Sequence, residues 1–106
     1  MKGIKEIKVM HTLLSKAIGL RFHKRIEDKA YLFPFDEPLK VSLDMFFVHF
    51  PIDVLFLDEK RKIIEMKENF RPYSFYMTKK KVSYVLELPK GYIGKNKNKI
   101  GQKIDF

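Results

Sequence analysis

Two carboxylates draw attention because of what surrounds them. Asp53 interrupts the apolar run Phe50-Pro51-Ile52-Asp53-Val54-Leu55-Phe56-Leu57, and Glu87 interrupts Val85-Leu86-Glu87-Leu88. Removing a carboxylate from water is costly unless it is paired, hydrogen-bonded or protonated. Each therefore has two readings, a structural salt bridge or strand-end cap on one hand and a member of a ligand site or acid–base pair on the other. Asp53 lies near the start of one strand-like run and Glu87 near the end of another, so antiparallel pairing would bring both to the same end of a sheet, in a shared pocket. Close carboxylates cannot both ionise freely, so one pKa rises or a cation such as Arg21, a nearby Lys or a metal ion lies between them. His49, between Val48 and Phe50, completes a candidate polar pocket of Asp53, Glu87, Arg21 and His49. A histidine in such an apolar run is more often a hydrogen-bonded structural residue than a ligand or general base.

Other chemistries find less support. His11, His23 and His49 have no spacing that would put two on one helix face or in one metal clip, so no metal site is expected. The chain has no Cys, which removes thiol nucleophiles, disulfides and Cys-based metal sites. No Ser sits in a nucleophile elbow, and the glycines near Gly94 and Gly101 do not form a phosphate loop, so no cofactor is expected. Lys79, Lys80, Lys81, Lys95, Lys97 and Lys99 are candidate anion-binding residues. Gly91-Tyr92-Ile93-Gly94, followed by three of these lysines, is similar to the glycine loop that clamps nucleic-acid backbones in one RNA-binding module; that loop joins two helices, whereas this one follows a strand. Phe70, Tyr73, Phe75 and Tyr76, beside Arg71 and Lys79 to Lys81, offer a stacking platform, although core packing is the commoner fate of such residues.

The elements that must position these groups are short. Ile4, Ile7 and Val9 among Lys2, Lys5, Glu6 and Lys8 suit an edge strand guarded by lysines. Thr12 caps an expected helix for which Leu14, Ile18 and Phe22 fall four apart on one face with Ala17, and Gly19 is read as its end. Ala30 to Phe35, broken by Pro34, and Val41 to Met45, after the turn Asp36-Glu37-Pro38, read as two strand-like pieces. Phe50, Ile52, Val54 and Phe56 fall on one face of the next run and Pro51, Asp53, Leu55 and Leu57 on the other, the pattern of a strand covered on both sides. Asp58-Glu59-Lys60-Arg61 reverses it into Lys62 to Met66 as a hairpin. Asn69 to Ser74, with Pro72, reads as a loop and Lys79 to Lys81 as an exposed turn. Val82, Tyr84, Leu86 and Leu88 share one face of a further strand, with Ser83, Val85 and Glu87 opposite. Ile100, Ile104 and Phe106 suggest one more short strand in the basic tail. The expected fold is a single α+β domain over residues 1–106, mostly antiparallel, with a small barrel-like sheet and one or two short helices.

Composition agrees with one core: the 106 residues are 45% hydrophobic and include ten Phe and five Tyr. The net charge of +9 and pI near 9.7 admit an anionic partner, nucleic acid included. Lys-rich, Cys-free composition is also a thermophile signature, where surface ion pairs accumulate. Met1 to Val9 alternates charged and apolar residues instead of resembling a secretory signal, and no apolar run is long enough to cross a bilayer. A cytoplasmic protein without membrane contact is the expectation.

The segment from Phe50 to Asp58, together with Val85-Leu86-Glu87-Leu88-Pro89-Lys90-Gly91, resembles the domain of unknown function 192 family. Gly19-Leu20 after a short helix is similar to the family's early Gly-Leu-Met element, and Gly101 to the glycine of its closing turn, so the resemblance spans roughly residues 11–106. Arg21 stands where that element has Met, His23 near a frequent Arg, Met45 to His49 in place of a Trp-Met-Lys-Asn-type stretch, and Gln102 where Asp often follows the closing glycine. Asp53 and Glu87 match the family's motifs. The resemblance implies a compact, mostly β fold with small helices and no established activity. The function expected is therefore a binding module for an anionic or mixed-charge small ligand. The alternatives are a hydrolase or transferase using Asp53 and Glu87 as acid and base, and nonspecific nucleic-acid binding through the basic surface.

Overall fold

The computed structural model describes residues 1–10, 28–46 and 48–106. The helix expected after Thr12 lies outside them, as do His11, Arg21 and His23. Among the described residues the elements are β1 (Glu6–Val9), β2 (Lys29–Leu39), β3 (Ser42–Asp44), β4 (Ile52–Leu57), β5 (Ile63–Phe70), β6 (Phe75–Met77), β7 (Val82–Pro89) and a short helix α1 (Tyr92–Asn96).

β4 is the strand whose two faces are both apolar, and it is buried at every position. It pairs antiparallel with β5 on one side and β7 on the other. The sheet order is β1-β2-β7-β4-β5, with β3 and β6 in a separate antiparallel pair. Among the described strands only β1 and β2 run parallel. Among the described residues β1 and β5 form the edges of an open sheet, so the barrel-like closure expected from the many short strands is not seen there.

The alternation read in β4 separates two cores. Phe50, Ile52, Val54 and Phe56 join Tyr31, Phe33, Leu43, Phe70 and Val85, with Tyr76 packed against them. Leu55 and Leu57 join Ala30, Leu32, Ile63, Leu86, Leu88, Ile93 and Ile104. The β3–β6 pair thus lies over the first face, while α1 and the tail lie over the second. Each fully buried Leu or Phe stabilises the fold by about 1.5–3 kcal/mol relative to exposure.

Three local expectations are corrected. Pro34 does not break its strand, because β1 ends opposite Leu32 and, among the described residues, β2 is there an edge strand that tolerates a missing N–H. Instead Pro34 pairs with Tyr84 and Leu39 with Val82, so the intervening Asp36-Glu37-Pro38 bulges away from β7 within one long strand. The basic tail forms α1 and a single bridge between Lys62 and Lys103, not a strand. Phe75 to Met77, assigned to no element by pattern, forms β6, which is too short for its alternation to register.

Candidate functional site

The register of β4 and β7 decides the relation between the two acids. Asp53 stands opposite Leu88 and Val54 opposite Glu87. Residues directly opposite in an antiparallel pair share a face, so Asp53 points with Leu88 into the second core and Glu87 with Val54 into the first. The two carboxylates are neighbours at the same end of the sheet, as expected, but its full thickness separates their side chains. The shared pocket is corrected on this ground.

Asp53 is 2% exposed. Across from it β5 is bulged, with Ile52 opposite Phe70 and Val54 opposite Lys67, and Asn69 adopts a left-handed φ of 49°, which its short polar side chain tolerates. The Asn69 amide donates to Asp53 Oδ1 at 2.9 Å. The Ile93 amide, in the first turn of α1, donates to Oδ2 at 2.8 Å. The residue preceding this helix is Gly91, φ 83°, which has no side chain to cap it. Asp53 supplies that acceptor from the sheet. Both oxygens of a candidate catalytic acid are thus engaged in joining the β5 bulge to α1.

Glu87 is also buried and lies between Val54 and Tyr31 in register. Burial pushes the Tyr31 phenol above its ordinary pKa, with Glu6 and Glu87 adding to the rise and Lys29 opposing it. His49 is exposed, not a buried structural histidine, and its ring meets Tyr73 edge to face at 5.7 Å. Arg21 lies outside the described residues.

A third buried carboxylate, Glu65, was not singled out by the sequence. It receives the Tyr76 hydroxyl, the Lys79 amide at 3.0 Å and the Lys80 amide at 3.2 Å. β5 shifts register between the Phe56–Glu65 and Leu57–Ile63 pairs, and this shift turns Glu65 to the Phe56 side against simple alternation. No local pattern announces it. The Tyr76 ring stacks on Phe56 at 5.6 Å, and its phenol is pushed up to about 12 by burial and then by the Glu65 hydrogen bond and charge.

These contacts organise the proposed aromatic platform differently from its reading in sequence. Phe70 is buried and Tyr76 turns inward. Phe75 and Met77 flank Tyr76 on the outer side of β6, 70% and 63% exposed. Tyr73 and Phe46 are about half exposed, and Arg71 and Lys79 to Lys81 are exposed around them. Lys95, Lys97 and Lys99 are exposed as well, but they belong to α1 and the segment after it, over the opposite face of the sheet. The two lysine groups do not form one patch.

Open depressions lie elsewhere among the described residues. One of about 590 Å³ is lined by Glu59, Lys60, Arg61, Lys103, Ile104 and Asp105, and one of about 260 Å³ is bordered by Tyr92, Asn98 and Gln102. Neither includes Asp53 or Glu87. Among the described residues no three His, Asp or Glu side chains cluster as metal ligands, and no helix is long and apolar enough to cross a membrane.

With this geometry in place, comparison settles the family. The chain belongs to the DUF192 family, described as "Uncharacterized ACR, COG1430", which matches residues 2–106. It is similar to a UPF0127 protein of Thermococcus sibiricus, 32% identical over 101 residues covering 94% of this chain, and it spans 65% of that protein's length. It is also similar to a UPF0127 protein of Pyrococcus horikoshii, 27% identical over 95% of this chain and 87% of the other. These relatives come from thermophilic archaea. A crystal structure from Sinorhizobium meliloti, described as a "putative transcription regulator", superposes with a TM-score of 0.87 at 25% identity, covering 93% of this chain and 79% of that one. A protein of unknown function from Novosphingobium aromaticivorans shares the fold, with a TM-score of 0.86 at 21% identity over 94% and 74% of the two chains.

Proposed function

We propose that this domain is a binding module without catalytic machinery of its own, and that it engages an anionic polymer, nucleic acid in particular, through β6 and the loop that follows it. One observation carries the reading. The buried Glu65 carboxylate holds the backbone amides of Lys79 and Lys80, which fixes a run of three exposed lysines beside the solvent-facing side of β6. A lysine run on a fixed backbone presents its charge at less entropic cost than one on a loose loop. The net charge of +9 adds long-range attraction, and the regulatory description of the Sinorhizobium meliloti structure is in keeping with it. The acid–base alternative loses its basis where Asp53 and Glu87 face opposite ways.

Binding of a fluorescent oligonucleotide, followed by anisotropy at several salt concentrations, tests the proposal. Affinity falls steeply with salt, and replacing Lys79, Lys80 and Lys81 by Ala lowers the logarithmic salt slope by about 2, at roughly 0.7 per phosphate contact on a single strand. Binding that ignores both salt and the substitutions contradicts it.

A second reading concerns a small mixed-charge ligand in the depression at the β4–β5 turn, whose lining includes Lys60, Arg61 and Lys103 together with Glu59 and Asp105. A thermal-shift screen in which hits lose their effect in Lys103→Ala supports that reading.

A further inference from the structure

Charge alone does not account for the apolar surface beside the lysines. On the β3–β6 pair, Ser42 is opposite Met77, Leu43 opposite Tyr76 and Asp44 opposite Phe75. Leu43 and Tyr76 turn toward the core, which leaves Phe75 and Met77 side by side on the outer face at 70% and 63% exposure. Next to this row, Met45 and the Tyr73-Ser74 segment are joined by two backbone hydrogen bonds of 2.8 Å, Tyr73 N–H to the Met45 carbonyl and Met45 N–H to the Ser74 carbonyl. They hold Tyr73 at a left-handed φ of 60°, a conformation that is unfavourable for a non-glycine residue and persists only where the surroundings impose it. Tyr73 remains 51% exposed, and its ring meets that of His49 in a T-shaped contact. Phe46 follows Met45 and is 48% exposed. Its amide donates to Asp44 Oδ1 at 3.2 Å, so the acid beside Phe75 is already engaged. Among the described large hydrophobic residues, those left open to solvent gather on this surface, apart from Val9 and Ile100.

We infer that this face is a stacking surface selective for single-stranded nucleic acid, with unpaired bases on Phe75 and Tyr73 and phosphates on Arg71 and Lys79 to Lys81. The inference rests on the polyanion reading above and adds to it the chemical form of the strand. Charge selects the occupant. A second copy would bring two chains of +9 together at their lysine loops, an unfavourable encounter. A duplex keeps its base faces stacked internally and offers nothing to exposed rings, whereas a single strand offers a π-face at each nucleotide and a phosphate between successive ones. The surface carries both complements within adjoining segments of one chain.

Anisotropy titrations at one moderate salt concentration compare a short oligothymidylate with an abasic strand of equal length and charge, a duplex, heparin, and vesicles containing phosphatidylglycerol. The expected result is that the oligothymidylate binds about five-fold or more tighter than the abasic strand, the difference of one stacked base. Phe75→Ala removes that advantage, Phe75→Trp keeps it, and Lys80→Ala weakens both strands alike. Because Phe75 is 70% exposed, both Phe75 variants retain the melting temperature of the parent. Equal binding of abasic strand and oligothymidylate overturns the stacking surface while leaving the polyanion reading intact. No binding to any nucleic acid or to heparin overturns both, and binding to vesicles alone assigns the face to a membrane surface instead.

Discussion

The Tyr76 hydroxyl donates to the Glu65 carboxylate beneath β6, so the inward residue of this strand is anchored while Phe75 and Met77 on either side of it face solvent. The tie has a pH signature. The Tyr76 phenol is pushed up from 10.0 to about 12, so the folded state holds its proton more tightly than the unfolded chain does. The resulting stability is fully present below pH 10 and is lost as pH rises from 10 through 12. Tyr31 and Tyr92 are raised by burial in the same direction. Urea midpoints should therefore fall across this window, and less steeply in Tyr76→Phe. Parallel curves for parent and variant contradict the assignment.

Glu65 also accepts the amides of Lys79 and Lys80. Glu65→Ala leaves these donors without their acceptor and should destabilise the fold by about 1–3 kcal/mol. Amide hydrogen exchange at Lys79 and Lys80 should accelerate more than exchange within β4. Unchanged exchange at the two lysines would show that the loop is held by other contacts.

Asp53 and Glu87 act separately, because their side chains lie on opposite faces of the sheet. In Asp53→Asn one oxygen becomes an amide nitrogen that cannot accept from Asn69 or Ile93, a loss of about 1–3 kcal/mol. Combined with Glu87→Gln, the effects should add to within about 0.5 kcal/mol. A coupling energy well above that value would restore a shared site.

Much of this architecture could be read from local pattern because apolar alternation is a local property. The two-sided burial of β4, the hairpin closed by Asp58, whose Oδ1 accepts the Lys60 and Lys62 amides at 2.8 and 2.9 Å, and the two faces of β7 from Ser83 onward all follow from residue spacing. Register is not local. The step that sends Asp53 and Glu87 to opposite faces depends on which residue of β4 meets which residue of β7, and the turn of Glu65 toward Phe56 depends on an irregularity in β5. The same reason hides β6, whose three residues carry too little alternation to identify a strand. Its exposed aromatic residues could be listed as a platform from sequence, but only the pairing with β3 determines that Phe75 faces outward and Tyr76 inward.

The outer side of β6 and the lysine loop form the proposed contact surface. Amide chemical-shift mapping of the isotope-labelled domain, titrated with a single-stranded oligothymidylate at low salt, locates it residue by residue. Perturbations should concentrate at residues 71–81 and around Phe46, while Lys95, Lys97 and Lys99 change little. Perturbations centred on α1, on the depression lined by Arg61 and Lys103, or spread evenly over every exposed lysine would contradict it.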